Sequence, residues 1–282
     1  MSIYVVTLQC VDRPGIVLAA SSAIVSVGGN IVENDQFTDP VTSQFCMRTR
    51  FETDAEDLDE VRNAIVAALA PFAPRLRIRL ESSRRRALVM VSQYDHCLAE
   101  LLYRRDSGDL PLDIVAVVSN HADCAELSAR YGVPYFEIPV TASTKSSAED
   151  ELRELLTRFD VDFVILARYM QVLSASLCAE LTGRAVNIHH SFLPGFAGAR
   201  PYHQAYERGV KLIGATAHFV TAELDEGPII DQDVVRVTHA RRPEDLVIQG
   251  RDVERTVLAR AVYLIAEDRV ALVGQRTVVF SQ

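Results

Sequence analysis

The sequence predicts an α/β protein of two domains, and two patterns along the chain support this prediction. Over residues 1–82, apolar clusters and turn signals follow the order strand, helix, strand, strand, helix, strand, which is the ferredoxin-like βαββαβ arrangement. After residue 86, short apolar runs alternate with helical stretches, as is typical of a doubly wound, mostly parallel sheet. We therefore expect domains at residues 1–82 and 87–282, joined by a linker at residues 83–86.

Each element of the first domain follows from local signals. Apolar or alternating runs predict strands at residues 3–10, 31–38, 44–51 and 75–80. Helical periodicity predicts helices at residues 16–27 and 55–70. A turn at residues 12–15 precedes the first of these helices, and Gly28 with Gly29 is expected to end it.

The second domain alternates buried strands with helices. We expect strands at residues 87–91, 114–119, 135–138, 163–166 and 185–189, with helices at 98–105, 125–131 and 148–159 between them. A hairpin of residues 213–220 and 229–237 and a long helix at 243–268 complete it. Open sheets of this kind bind ligands at the carboxyl ends of their strands, so a site is expected there.

Composition narrows the range of functions. The net charge is −9, and the one short basic run is RRR at residues 84–86, so a nucleic-acid partner is not expected. We see no signal peptide and no apolar stretch near the roughly 20 residues that cross a bilayer. The five cysteines are scattered without a CxxC motif, which favours free thiols. We therefore expect a cytoplasmic protein without a membrane partner.

The densest group of functional side chains lies in the segment NIHHSFLPG, residues 187–195. Asn187 and His189 are two positions apart at the end of a predicted strand, so their side chains share one face. A carboxamide beside an imidazole can donate to an oxygen that becomes negative during acyl transfer. The pair alone fits a structural histidine equally well.

A second polar segment, ELDEGP at residues 223–228, separates the two hairpin strands. Its carboxylates fit a solvated turn, but Leu224 and the Gly-Pro pair that follows constrain the loop around Asp225. A fixed carboxylate beside His189 would orient the imidazole and favour its protonated form. The candidate catalytic residues are therefore Asn187, His189 and Asp225.

The roles of the other histidines are less clearly defined by the sequence. The histidine spacing does not match HExxH or a comparable ligand pattern, so we expect no metal. His96, His121 and His239 are interpreted as surface or capping groups, whereas His203 and His218 fit either a cleft or a structural role.

Three separated motifs are similar to the folate-dependent formyltransferase superfamily, which includes glycinamide ribonucleotide and methionyl-tRNA formyltransferases. They are NIHHSFLP (187–194), GATAHF (214–219) and LDEGPII (224–230). Within the superfamily, His190, the segment GARPYHQAYERG (198–209) and the preceding domain resemble the formyltetrahydrofolate deformylase family over essentially the whole chain. This resemblance implies hydrolysis of 10-formyltetrahydrofolate to tetrahydrofolate and formate, which balances one-carbon folate pools and supplies formate for purine synthesis.

The resemblance also implies roles for particular residues. The superfamily's invariant trio maps onto Asn187, His189 and Asp225, and no tightly bound cofactor is implied beside the folate substrate. The folate cleft maps onto two segments, which contain Leu166, Ala167, Met170, Val172, Leu173, Val220 and Leu224. From the residues alone, Met170, Val172 and Leu173 fit core packing.

The first domain resembles an ACT domain, a small-ligand sensor that pairs between subunits. Its ligand-loop positions match Asp12, Gly15, Gly29 and Asn30, although a turn and a helix stop explain these residues equally well. The resemblance implies amino-acid control by methionine and glycine, and a homo-oligomer formed through this domain.

Water is the expected formyl acceptor. In the ribonucleotide-formylating relatives, the first strand of this domain ends in a glycine-rich turn that holds a phosphate. Here the segment is VSQYDHC (91–97), which lacks glycine and has Asp95 as a candidate helix cap. Two alternatives remain: formyl transfer to an unidentified amine bound near Ser92 and Tyr94, and a non-catalytic folate- or amino-acid-binding regulator.

Overall fold

The computed structural model describes residues 1–55, 57–195 and 201–280, which form two compact units. The first unit contains Met1–Arg84 and Glu267–Gln282, and the second contains Arg85–Ala266. The predicted domains divide near the same point, but they assign residues 267–282 to the second domain. In the structure, these residues belong to the first unit.

The first unit begins with the predicted order of elements. These are β1 (Ser2–Val11), α1 (Ile16–Ser26), β2 (Asn30–Thr38), β3 (Gln44–Thr53), α2 (Leu58–Leu69) and β4 (Arg75–Leu80), with a 3-10 turn at Ala70–Phe72. The sheet order is β2-β3-β1-β4, and neighbouring strands are antiparallel. The βαββαβ prediction is therefore confirmed. Helix α1 ends at Ser26 because Gly28 adopts a left-handed conformation with a φ of 67°.

The second unit is an α/β sheet of seven strands. Its elements are β5 (Arg85–Val91), α3 (His96–Ser107), β6 (Leu112–Ser119), α4 (Ala125–Arg130), β7 (Tyr135–Glu137), α5 (Lys145–Arg158), β8 (Phe163–Leu166), α6 (Ala175–Glu180), β9 (Ala185–His189), α7 (Pro201–Glu207), β10 (Leu212–Phe219), β11 (Ile229–Arg236) and α8 (Pro243–Ala266). The strand order is β11-β10-β9-β8-β5-β6-β7. Strands β5 to β9 are parallel, and β10 and β11 are antiparallel, which confirms the mostly parallel sheet.

The order of the strands determines where a ligand can bind. The chain runs from β5 outward to β7 and then returns to β8 on the other side of β5. The carboxyl ends of β5, β8 and β9 therefore lie side by side at the switch point of the sheet. Strand β8 is buried along its whole length, which explains its continuous apolar sequence FVIL.

The predicted linker is shorter than expected, because Arg85 and Arg86 belong to β5. The Arg85 side chain is buried, lies over the Phe163 ring and donates from Nη1 to the Ile265 carbonyl at 2.8 Å. A cation at the C-terminal end of α8 interacts favourably with the helix dipole. The prediction of a linker at residues 83–86 was therefore wrong for its last two residues.

A C-terminal hairpin, β12 (Val270–Val273) and β13 (Arg276–Val279), belongs to the first unit. Val273 and Phe280 form a buried cluster with Cys46. The fully buried Arg48 donates from Nε to the Glu267 carbonyl at 3.0 Å. These contacts join residues about two hundred positions apart, so the local sequence pattern did not reveal them.

Two further expectations concern the whole chain. All five cysteines are free and buried, as predicted. Among the described residues, no helix combines the length and the apolar composition that crossing a bilayer requires. Helices α6 and α7 and the C-terminal hairpin had no counterpart in the prediction.

Phe280→Ala is expected to destabilise the first unit by about 3–5 kcal/mol, because it deletes a buried aromatic side chain. Phe280 is 7% exposed, whereas its neighbour Val279 is 38% exposed. Val279→Ala is therefore the matched control and should cost less than about 1 kcal/mol. Urea unfolding monitored by circular dichroism compares the two variants. Equal losses of stability would contradict the packing described for Phe280.

Candidate active site

The second unit contains a cavity of about 500 Å³, a volume typical of small-molecule sites. It is lined by residues that follow β5 and β8, by β9, by the loop between β10 and β11, and by α7 and α8. This is the position at which the doubly wound sheet was expected to bind a ligand.

The cavity brings together the three candidate catalytic residues. Asn187, His189 and Asp225 all line it. His189 Nδ1 lies 3.1 Å from Asp225 Oδ1, and the side chains of these two residues are 5% and 9% exposed. Asp225 is therefore not part of a solvated turn, which was the alternative interpretation of its segment.

The local fold explains how Asp225 reaches the end of β9. The loop between β10 and β11 turns back over β10, and Asp225 within it has a φ of 60°. A Cβ atom at Gly227 would lie 1.7 Å from the Phe219 carbonyl oxygen, so only glycine permits this approach. The loop therefore depends on Gly227, and it holds Asp225 in a conformation that few non-glycine residues adopt.

His218 orients Asn187. Its Nδ1 lies 2.9 Å from the Phe219 carbonyl oxygen, which can only accept a hydrogen bond, so Nδ1 is the protonated nitrogen. Burial lowers the pKa of His218 and favours the neutral ring. Its Nε2 therefore accepts from Asn187 Nδ2 at 3.2 Å. His218 thus lines the cleft and also has a structural role, the two readings that the sequence left open.

Asp225 is ionised near neutral pH. Burial raises the pKa of its carboxyl, but the hydrogen bond and the charge of His189 outweigh this effect and hold the pKa below its usual value. The other ring nitrogen, His189 Nε2, is buried and has no hydrogen-bond partner among the described residues. This nitrogen is the one that remains for a substrate.

A network around Glu254 forms another part of the cavity wall. Glu254 lies on α8 and is 1% exposed. Its Oε1 accepts from Tyr202 Oη at 2.6 Å, its Oε2 lies 2.9 Å from His96 Nε2, and Arg168 Nε is 3.5 Å from Oε2. Burial raises the pKa of Glu254, but His96, Arg168 and Tyr202 together hold it below its usual value.

Sequence reasoning missed most of this network. His96 was expected to be a surface or capping group, but it is paired with a buried carboxylate. Asp95 occupies the N-cap position of α3 without a capping bond from its side chain, so the predicted side-chain cap was wrong. No local motif marks Glu254 or Tyr202, because only the tertiary fold brings them to His96.

One group of side chains could be considered for a metal ion. Among the described residues, the ligand atoms of His96, Cys97 and Glu254 lie within 4.8 Å of one another. His96 already contacts Glu254 directly, and burial raises the pKa of the Cys97 thiol well above its usual value, which disfavours a thiolate ligand. The group therefore fits a hydrogen-bonded cluster better than a metal site.

The residues assigned to the folate cleft divide into three groups. Met170, Val172 and Leu224 line the cavity and are 53%, 54% and 62% exposed, so core packing was the wrong interpretation for the first two. Leu166, Leu173 and Val220 also line it but are more buried. Ala167 is fully buried and does not line the cavity.

Two other groups of predicted residues can be placed. His203 is exposed and lines the cavity, whereas residues 198–200 of the same motif lie outside the described residues. In the first unit, Asp12 and Gly15 precede α1, and Gly29 and Asn30 follow it. The helix has 11 residues, so the two predicted effector loops are separated by about 16 Å in one chain.

Several known proteins resemble this chain over most of its length. A family model described as formyl transferase matches residues 85–262. A formyltetrahydrofolate deformylase of Corynebacterium sp. (strain P-1) is 48% identical over 278 residues, which are 98% of this chain and 97% of the relative. This chain belongs to the formyltetrahydrofolate deformylase family. A crystal structure of the family member from Burkholderia mallei matches over 100% of both chains, with a TM-score of 0.96 and 47% identity.

The similarity extends to a transferase. Glycinamide ribonucleotide transformylase 1 from Symbiobacterium toebii matches with a TM-score of 0.66 and 32% identity, over 70% of this chain and 95% of that chain. The deformylase family therefore shares its α/β formyltransferase-type fold with enzymes named for formyl transfer.

His190→Gln is expected to reduce the acid sensitivity of folding. Burial and the nearby Arg168 charge lower the pKa of His190 to about 3, so the folded protein stays unprotonated there while the unfolded chain binds a proton below about pH 6.5. Stability is therefore lost as pH falls below about 6.5. Between pH 7 and pH 5 the wild type should lose about 2 kcal/mol more than His190→Gln.

Urea unfolding at the two pH values measures this difference. His239→Gln, at an exposed position, is the matched control and should follow the wild type. Equal losses in His190→Gln and the wild type would show that His190 is not held neutral by burial.

Proposed function

We propose that the protein hydrolyses 10-formyltetrahydrofolate to tetrahydrofolate and formate. The observation that supports this best is the buried contact of 3.1 Å between His189 and Asp225, with Asn187 on the same strand and in the same cavity. A protein that only binds a folate or an amino acid does not require a buried histidine–carboxylate pair beside an amide.

The proposed mechanism uses water as the nucleophile. The water oxygen attacks the formyl carbon, and Asn187 and His189 stabilise the oxyanion of the tetrahedral intermediate. The bond from the formyl carbon to N10 then breaks, N10 takes up one proton that originates from water, and formate leaves with release of the other proton. Asp225 accepts from His189 Nδ1 and thereby holds the imidazole in position.

The exposed apolar residues of the cavity are suited to a flat ring system. Met170, Val172 and Leu224 present apolar surface to water, and a bound pterin would cover it with a gain of about 25 cal/mol for each Å² buried. Leu166, Leu173 and Val220, which also line the cavity but are more buried, would add to this apolar contact. We therefore assign these six residues to folate binding.

We further propose that the first unit is an ACT-like regulatory domain that binds methionine or glycine and pairs with a second copy. The two effector loops lie at opposite ends of α1, so a small amino acid could contact both only if one loop comes from another copy. Exposed apolar residues on α1 and on β2, among them Leu18, Val25 and Phe37, provide surface for such pairing. In this proposal, amino-acid levels control the release of formate for purine synthesis.

Asp225→Asn is expected to lower the kcat of formate release by a factor of about 10²–10³, because the imidazole loses the carboxylate that orients it. Glu226→Gln is the matched control, since Glu226 is the exposed neighbour and does not line the cavity. Formate is measured from 10-formyltetrahydrofolate without an amine. Wild-type rates in Asp225→Asn would exclude the proposed site, and a wild type that reacts only when an amine is present would identify a transferase.

Methionine or glycine is expected to change the hydrolysis rate by a factor of about five or more, as is typical of allosteric coupling. Asn30→Ala should abolish this response, whereas Asp54→Asn, an exposed substitution in the same unit, should preserve it. Rates are compared across a panel of amino acids at saturating folate. Rates that stay constant throughout the panel would contradict amino-acid control.

A further inference from the structure

The cavity has a second polar wall that the proposed chemistry does not use. His96, Arg168, Tyr202 and Glu254, here called the Glu254 cluster, line the same cavity as His189. The cluster is contiguous with the site, because the ring of His190 lies 6.1 Å from that of Tyr202 and 5.0 Å from that of His189.

Both carboxylate oxygens of Glu254 are already engaged. Glu254 Oε1 accepts from Tyr202, and Oε2 faces both His96 and Arg168. An incoming N–H group therefore finds both oxygens of Glu254 occupied.

The buried polar groups that remain available in the cavity are nitrogen atoms that can donate hydrogen bonds. Among the cavity-lining side chains in the described ranges, Arg168 Nη1 and His189 Nε2 are buried without a hydrogen-bond partner, whereas Arg168 Nε lies in the 3.5 Å ion pair with Glu254 Oε2. A guanidinium can only donate hydrogen bonds, so its partner must supply a lone pair. A water oxygen has two lone pairs, so it can accept from such a donor with one while the other attacks the formyl carbon. A neutral primary amine has a single lone pair, which the attack itself uses.

The Tyr202 ring packs closely against α8 and so completes this wall of the cavity. A Cβ atom at Gly250 would lie 2.1 Å from Tyr202 Cζ, so the glycine lets the ring lie directly on α8, one turn before Glu254. The ring thereby fills space next to His190, and its hydroxyl occupies one oxygen of Glu254.

We propose that the Glu254 cluster determines which nucleophile reacts, favouring water over primary amines. This inference rests on the proposed hydrolysis and names the residues that set its specificity. Tyr202 is the key member, because removal of its hydroxyl would free Glu254 Oε1 to accept from an amine while the ring still packs on Gly250.

The test measures how the formyl group is partitioned between two nucleophiles. Purified protein receives 10-formyltetrahydrofolate with glycinamide as the amine probe, and formate and N-formylglycinamide are quantified from the same reaction. In the amine reaction, the nitrogen of the probe bonds to the formyl carbon, the bond to N10 breaks, and a proton from the amine passes to N10.

The Tyr202→Phe variant is expected to raise the ratio of N-formylglycinamide to formate about tenfold over the wild type, which is equivalent to about 1.4 kcal/mol of selectivity. Tyr206→Phe is the matched control, since Tyr206 lies on the same helix and is 46% exposed, and its ratio should equal that of the wild type. A merely structural role of Tyr202 would lower both products together and leave the ratio unchanged.

The outcomes separate the two proposals. An unchanged ratio in an active Tyr202→Phe protein overturns the role of the cluster. If Tyr202→Phe yields neither product, the same product ratio is measured in His96→Gln, which disturbs the contact with Glu254 Oε2 instead. A raised ratio in that variant supports the role of the cluster, and an unchanged ratio overturns it. A wild type that releases no formate overturns the proposed function itself.

Discussion

Strands β9 and β10 run antiparallel with Asn187 opposite His218, and the rest of the site depends on this register. The pairing brings the His218 ring to the Asn187 amide, and the strand that follows Asn187 ends at His189. The loop beyond β10 then returns Asp225 to His189. A shift of one residue would turn Asn187 and His189 to the other face of the sheet and leave Asp225 without its partner.

Two residues of the cavity wall occupy backbone conformations that are uncommon outside glycine. Arg168 and Asp225 have φ values of 64° and 60°. Their loops are held by specific hydrogen bonds, among them the bond from the Ser92 N–H to the Arg168 carbonyl at 3.3 Å. Strained conformations of this kind persist where the surroundings determine them, and here they position a guanidinium and a carboxylate in one cavity.

Local signals were sufficient to predict the sheets and part of the site. The apolar run of β8 and the two-residue spacing of Asn187 and His189 are properties of single strands, so the sequence alone indicates them. Glu254 could not be recognised in this way, because a glutamate on a long amphipathic helix normally faces water and only the fold brings His96 and Tyr202 to it. Arg85 was assigned to a linker for a similar reason, since its buried partner Ile265 is 180 positions away.

The location of the C-terminal hairpin has a consequence for the synthesis of the protein. The first unit needs residues on both sides of the second, because Val273 and Phe280 complete the cluster around Cys46. Residues Arg85–Ala266 form an uninterrupted segment, so all of the second unit has left the ribosome before the first unit has its last residues. On a growing chain, the cluster around Cys46 on β3 therefore stays incomplete until Val273 and Phe280 have emerged, after the whole of the second unit.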